Sequence, residues 1–299
     1  MAKKLSAKEI AKQKAMQLAE QERQRQQKAR TTMLSVIAVL VVVFFGAVYY
    51  VVTKDERDEK AVLNDADSKP SVFNDDGSLY VSLNGLGKEN LPEGSENLPT
   101  LEVFHDYICP ACGYFDRTLG SAIIDLITSG EVIYLDHPIA LFDSTSKDKY
   151  STRATAVALY LAEYAPQAYF QYSQSLFSTE HQPSEGTKYV SVTNEALKTR
   201  AIEAGADPDV AEAAIGSGLT TDSKFTKWLQ IMSNKAQTLD DNKKWDEDRQ
   251  QLIFSTPLIK INGKVIDNSL LADKASGNFT AAALRAALGL PPVEEAPAE

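Results

Sequence analysis

The stretch Phe104–Phe115, reading FHDYICPACGYF, constrains the fold of this chain more than any other. It carries the only two cysteines among 299 residues, Cys109 and Cys112, with Pro110 and Ala111 between them. An apolar run (Leu101, Val103, Phe104) leads in, and Phe115, Leu119, Ile123, Leu126 and Ile127 lead out at helical spacing. A strand that breaks into a helix here puts Cys109 at the helix N-terminus, where backbone N–H groups and the helix dipole favour a thiolate. Cys112, one turn on, is near enough to close a disulfide against it. A purely structural staple would be weak, because a loop of about four residues contributes only about 2 kcal/mol in the chain-entropy account. A zinc site lacks ligands: there is no second Cys pair, and His105, His137 and His181 are scattered. Redox chemistry is the use these residues favour.

Charge is divided unevenly along the chain. The formal net charge is −10, yet residues 1–32 hold nine Lys and Arg against three Glu, about +6, which leaves about −16 for the rest. Nothing in that acidic remainder points to nucleic acid. The basic tail runs into 33–52, an uncharged stretch of about 20 residues that would span about 30 Å as a helix, one bilayer core. Tyr49 and Tyr50 suit an interface, and Lys54, Asp55, Glu56 and Arg57 end the run. With no small-x-small cleavage site evident, the stretch reads as an uncleaved signal-anchor. The Lys and Arg excess keeps residues 1–32 in the cytoplasm and sends the C-terminal bulk across the membrane.

Residues 53–98 read as a linker, with a weak strand signal at Leu79, Val81 and Leu83 able to join the edge of a sheet. From Thr100 the pattern is strand (Leu101–His105), helix (Cys109–Ser129, ended by Ser129-Gly130) and strand (Glu131–Asp136). Helical periodicity then recurs through Ala154, Val157, Ala158, Leu161 and Ala165, and through Phe225, Trp228, Leu229, Met232 and Ala236. Ala168–Phe177 and Asn194–Ala204 are shorter helices, and Gly205, Pro208, Gly216 and Gly218 read as breaks. Leu258–Ile261 and Lys264–Ile266 flank Asn262-Gly263, a strong two-residue hairpin signal. A last helix starts near Thr280 and stops at Gly289, and 291–299 is an acidic tail expected to be disordered.

The Phe-x-Asp-Tyr-x-Cys-Pro-x-Cys run resembles the DsbA-like branch of the thioredoxin superfamily, and Ser255–Lys264 is similar to that family's cis-proline strand and hairpin. The resemblance covers roughly residues 97–290. It implies an α/β thioredoxin-like core at 99–290 with a helical subdomain inserted at about 145–250, here preceded by the single transmembrane helix. It implies a membrane-anchored, extracytoplasmic thiol-disulfide oxidoreductase that forms or exchanges disulfides in secreted or surface proteins and needs no cofactor. Cys109, Cys112 and Pro257 would be its catalytic residues. Pro110, Ala111, Thr256, His105 and Asp106 would support them, with Pro257 beside Cys109 and the Thr256 backbone offered to an extended client. Its partners would be thiol-containing clients, a membrane redox protein that recycles the pair, and the bilayer.

Two departures from the family pattern stand out. Ala111 occupies the place where strongly oxidising relatives carry histidine. The family's buried acid, six residues before the first cysteine, falls on Val103, while Glu102 points to the other face of its strand. Either the strand is locally shifted or proton transfer uses another group, with His105 and Asp106 as candidates against the plainer reading that both are solvated polar residues. Two further functions stay open on the residues alone: a non-catalytic thioredoxin-like binding module, and a carrier holding a soft metal such as Cu(I) on two thiolates.

Overall fold

Unlike residues that can pair only locally, the strand leading into Cys109 finds partners on both sides. In the computed structural model, β3 (Thr100–His105) lies parallel to β4 (Ile133–Pro138), with Thr100 opposite Ile133 and His105 opposite Pro138. On its other side it runs antiparallel to β7 (Leu258–Ile261), with Phe104 opposite Leu258. The connection from β3 to β4 is α1 (Pro110–Thr128), whose Phe115, Leu119, Ile123, Leu126 and Ile127 are buried. Gly130, at φ 67°, ends it, with the Glu131 N–H returning to the Leu126 carbonyl at 3.0 Å.

The structure describes residues 56–65, 67–218 and 224–292, together with 43–50 and isolated positions elsewhere before residue 56. It separates into two compact units, 1–61 and 62–299. In the first, residues 43–50 and 56–61 are helical, and Phe44, Phe45, Tyr49 and Tyr50 are exposed. Among the described residues no helix is long and apolar enough to cross a membrane. The expected span 33–52 lies partly outside the described residues, as do most of the basic tail and positions 293–299 of the acidic one.

The second unit holds a six-stranded sheet in the order β2-β1-β4-β3-β7-β8. The weak strand signal is real. β1 (Leu79–Ser82) runs antiparallel to β4, with Leu79 opposite Asp136, and turns back into β2 (Gly85–Leu86). Leu79 and Val81 are buried while Tyr80 and Ser82 are half-buried, the alternation of a strand with one core face. At the opposite edge, β7 turns into β8 (Lys264–Val265) through Asn262 at φ 52° and Gly263 at φ 74°, the conformation that selects Asn-Gly.

Between β4 and β7 the chain builds a helical layer: α2 (Tyr150–Tyr164), α3 (Pro166–Phe177), α4 (Asn194–Glu203), α5 (Pro208–Gly218) and α6 (Lys224–Thr238). α2 is its axis, packed against the other four, with Ala154, Val157, Ala158 and Leu161 fully buried. Two elements correct the sequence reading. Residues 208–218 form a helix rather than a break, since Pro208 sits in its first turn, where its missing N–H costs nothing, and Gly216 and Gly218 fall only in its last turn. Residues 244–253 form a separate hairpin of β5 (Lys244–Asp246) and β6 (Gln251–Ile253), in a stretch too polar to signal strands. The last helix, α7 (Ala281–Ala287), starts where expected, its Thr280 hydroxyl accepting from the Ala283 N–H at 3.1 Å.

Candidate active site

Cys109 is the N-cap of α1 and Pro110 its first residue. Both cysteines are free thiols and both are buried, Cys109 6% and Cys112 1% exposed, so Cys109 is the less deeply buried of the two. The Cys109 thiol is lowered from its ordinary value to about 6. The largest cause is a hydrogen bond from the Cys112 thiol; burial opposes it, and the Thr256 hydroxyl and the N–H groups of Cys112 and Ala111 add to it. Pro110 has no N–H to give, so the helix N-terminus acts through the next two residues. Burial pushes the Cys112 thiol well up, and its bond to Cys109 adds to this.

The β6–β7 loop brings the second half of the site. The Thr256–Pro257 bond is cis. The Thr256 hydroxyl donates to Cys109 Sγ at 3.3 Å, and the Cys109 thiol faces the Thr256 carbonyl at 3.6 Å. Residues separated by 147 positions thus meet at one sulfur.

A third wall escaped the sequence reading. The Gln182 side-chain amide donates to the Cys109 carbonyl at 2.9 Å and the Tyr107 carbonyl at 3.2 Å, and its oxygen accepts from Arg117 at 3.0 Å. This loop closes on α1 at Gly113, where any Cβ would fall on Gln182 Oε1 and within 2.6 Å of Arg117 Nη1. Only a glycine directly after the Cys-x-x-Cys admits the contact.

His105 and Asp106 are buried, at 5% and 0% exposure, which corrects the plainer reading of them as solvated. Asp106 is occupied structurally. Its carboxylate accepts from the Ile108 N–H (3.1 Å) and Ser151 hydroxyl (2.7 Å) on one oxygen, and from the Leu141 (2.7 Å) and Phe142 (3.0 Å) N–H groups on the other. These bonds tie the active-site turn to the loop after β4 and to α2. Burial raises the Asp106 carboxyl, and the four donors oppose that rise.

His105 belongs to a different constellation. Its Nε2 lies 2.7 Å from Asp136 Oδ1, with both side chains buried, and Tyr169 donates to the other Asp136 oxygen at 2.7 Å. Burial disfavours the charged ring, but the Asp136 carboxylate outweighs it and raises the His105 pKa; the same pairing lowers Asp136 against its own burial. Asp136 stands directly beside Val103 across the β3–β4 ladder. A buried acid is therefore present near the expected place, one strand over. Glu102 does face away, with its carboxylate 2.8 Å from His137 Nε2 on the other side of the sheet. Asp136 and Asp116 went unread, because a strand pairing and a helix turn bring them in.

Val103, His105, Asp136, Cys112 and Asp116 all line one cavity of about 20 Å³. Among the described residues, no group of three or more His, Cys, Asp or Glu is arranged to hold a metal ion.

The thioredoxin family profile matches residues 94–277. Among curated proteins, the serine/threonine-protein kinase PknE of Mycobacterium tuberculosis is 32% identical over 149 residues, covering 49% of this chain and 25% of its own length. This chain thus spans about a quarter of that relative. Among solved structures, the reduced disulfide bond oxidoreductase DsbG of M. tuberculosis aligns with a TM-score of 0.50 at 27% identity, over 67% of this chain and 80% of its own. Reduced DsbA of the same organism gives 0.51 at 25% identity, over 74% and 94%. MdbA of Actinomyces oris, at 16% identity and a TM-score of 0.53 over 78% and 92%, shares the fold. Because the profile runs from before β3 to beyond the Thr256–Pro257 loop, more than half the chain, this protein belongs to the thioredoxin family, on the DsbA-like branch its likeness to DsbG and DsbA marks out.

Proposed function

We propose that this protein is an extracytoplasmic thiol-disulfide oxidoreductase that forms or exchanges disulfides in client proteins through Cys109 and Cys112. The observation that carries the reading is the asymmetry of the pair. The less deeply buried sulfur, Cys109, is stabilised as a thiolate at neutral pH, and Cys112 is more deeply buried and held protonated. Attack and departure both favour the stabilised sulfur.

When the pair is oxidised, a client thiolate attacks Cys109 Sγ, and the Cys109–Cys112 bond breaks with Cys112 leaving. The client is then joined to Cys109, and a second client thiolate attacks the client's own sulfur in that mixed bond. The client leaves with its new disulfide and the protein keeps two reduced cysteines. In reverse, Cys109 thiolate opens a client disulfide and Cys112 resolves the mixed bond. Thr256 borders Cys109, an extended client would lie along it and the adjoining Pro257, and Pro110 and Ala111 shape the helix N-terminus that holds the charge.

Each oxidising turnover leaves the pair reduced, so the cycle requires an electron acceptor, for which a membrane redox protein is the partner. A membrane anchor at 33–52, with residues 1–32 cytoplasmic, is supported by the uncharged run, by the Lys and Arg excess before it, and by the exposed aromatic residues of helical 43–50.

The test is a stoichiometric transfer. Full-length oxidised protein mixed with a reduced two-cysteine peptide should yield one peptide disulfide per Cys109–Cys112 disulfide lost. A peptide left reduced, with the protein's disulfide intact, contradicts the reading.

A further inference from the structure

Cys112 has a proton problem that Cys109 does not. As leaving group it must gain a proton, and as attacking group it must lose one, yet it is 1% exposed and none of the groups so far assigned to the exchange takes that proton. Among the acids nearby, Asp106 is fixed by four donors and does not line the cavity that Cys112 reaches. Asp136 does line it, but it is committed to His105 and Tyr169.

Asp116 is different. It lies four residues after Cys112 on α1, which puts both side chains on one face of the helix, and both line the cavity of about 20 Å³. That volume is room for one water molecule. The walls supply polar partners for such a water: His105 Nδ1 is buried without a hydrogen-bond partner among the described residues, and Ser173 and Gln174 of α3 border the same space. The cavity is partly open to solvent, and Asp116, itself only half-buried, lines it.

We propose that Asp116 exchanges the Cys112 thiol proton with solvent, through the cavity the two side chains share. The inference rests on the disulfide-exchange reading above and names the proton carrier for its buried half. When Cys112 leaves as thiolate, the Asp116 carboxylic acid gives up a proton that ends on Cys112 Sγ. When Cys112 attacks the mixed disulfide, its proton passes to the Asp116 carboxylate, the Cys109–Cys112 bond forms, and the client departs as thiolate. No oxidant enters either step.

The electrostatic setting agrees. Burial raises the Asp116 carboxyl to about 7, His105 and Arg117 pull against that rise, and Asp136 adds to it. The groups that face it are His105 from β3, Tyr134 and Asp136 from β4, and Cys112 on its own helix, with Arg117 beside it; α3 contributes only uncharged side chains to the cavity. A carrier with its midpoint near the working pH is charged and neutral in comparable amounts, which is the optimum for moving a proton both ways.

The experiment follows mixed-disulfide resolution between the full-length protein and a model peptide across pH, with Cys109 alkylation measured on the same samples. Wild-type resolution should show an inflection near pH 7, while the Cys109 midpoint near 6 appears only in the alkylation of the free thiol, since the mixed disulfide leaves Cys109 no proton to titrate. Asp116→Asn should remove the inflection and slow resolution roughly a hundredfold at neutral pH. The defect should shrink as rising pH ionises Cys112 directly, and the Cys109 midpoint should not move. Asp116→Glu should retain the inflection. A wild-type profile with no inflection near 7, an Asp116→Asn profile that superposes on wild type, or a Cys109 midpoint that shifts in step with resolution would overturn the proposal. A wild-type protein that forms no mixed disulfide at all would instead overturn the disulfide-exchange reading.

Discussion

At the scale of single residues, the behaviour of Cys109 depends on a few short contacts that can be removed one at a time. The Thr256 hydroxyl donates to Cys109 Sγ at 3.3 Å, and a hydrogen bond to a charged group contributes about 1.5–3 kcal/mol. Thr256→Val keeps the shape and deletes the donor, so the alkylation midpoint of Cys109 should rise from about 6 by roughly one pH unit. An unchanged midpoint would show that the hydroxyl does not support the thiolate. Asp106 makes a contrasting case. Asp106→Ala would leave three backbone N–H groups and the Ser151 hydroxyl without their acceptor. A denaturant melt should lose about 3 kcal/mol or more, and a loss under about 1 kcal/mol would contradict its role as a tie. The cysteine pair stands out in the sequence by its motif and Thr256-Pro257 by the family resemblance, and the structure brings the Thr256 hydroxyl to Cys109 Sγ. Asp136 and Gln182 were not legible there, since each reaches the site through a strand register or a loop closure that no local pattern encodes, and Asp116, one helical turn after Cys112, carries no motif that marks it.

At the scale of elements, the β3–α1–β4 unit was readable to within about two residues, because alternation and helical period change cleanly at Cys109 and again at Gly130. The helix at Pro208–Gly218 and the 244–253 hairpin were not. Glycines that end a helix look like glycines that prevent one, and the hairpin carries little apolar alternation. The join between α1 and the loop bearing Gln182 has its own test. Gly113→Ala would drive a Cβ onto Gln182 Oε1, and the loop must give up its bonds to the Cys109 and Tyr107 carbonyls. Both obstacles, Gln182 and Arg117, are the ends of flexible side chains that can swing aside, so the cost is that of the hydrogen bonds they lose, about 1 kcal/mol. Removing the obstacle in Gly113→Ala/Gln182→Ala should recover part of that loss, a coupling that a double-mutant cycle reads directly. Strict additivity of the two substitutions would mean that the loop does not close on Gly113.

At the scale of the whole molecule, the proposed topology separates the basic tail from the redox domain by a bilayer, and the charge difference between them sets the orientation. Protease applied to intact cells should remove the folded domain and spare residues 1–32, and a domain cut only after lysis would contradict this arrangement. The central claim is that Cys109 attacks and Cys112 resolves. It is tested most directly by trapping with the two serine variants of the full-length chain. Cys112→Ser should accumulate covalent adducts with clients, dissolved by reductant, because the mixed disulfide at Cys109 has lost the thiol that opens it. Cys109→Ser, its remaining thiol buried and held protonated, should accumulate none. Equal trapping by both variants, or adducts on Cys109→Ser alone, would contradict the account.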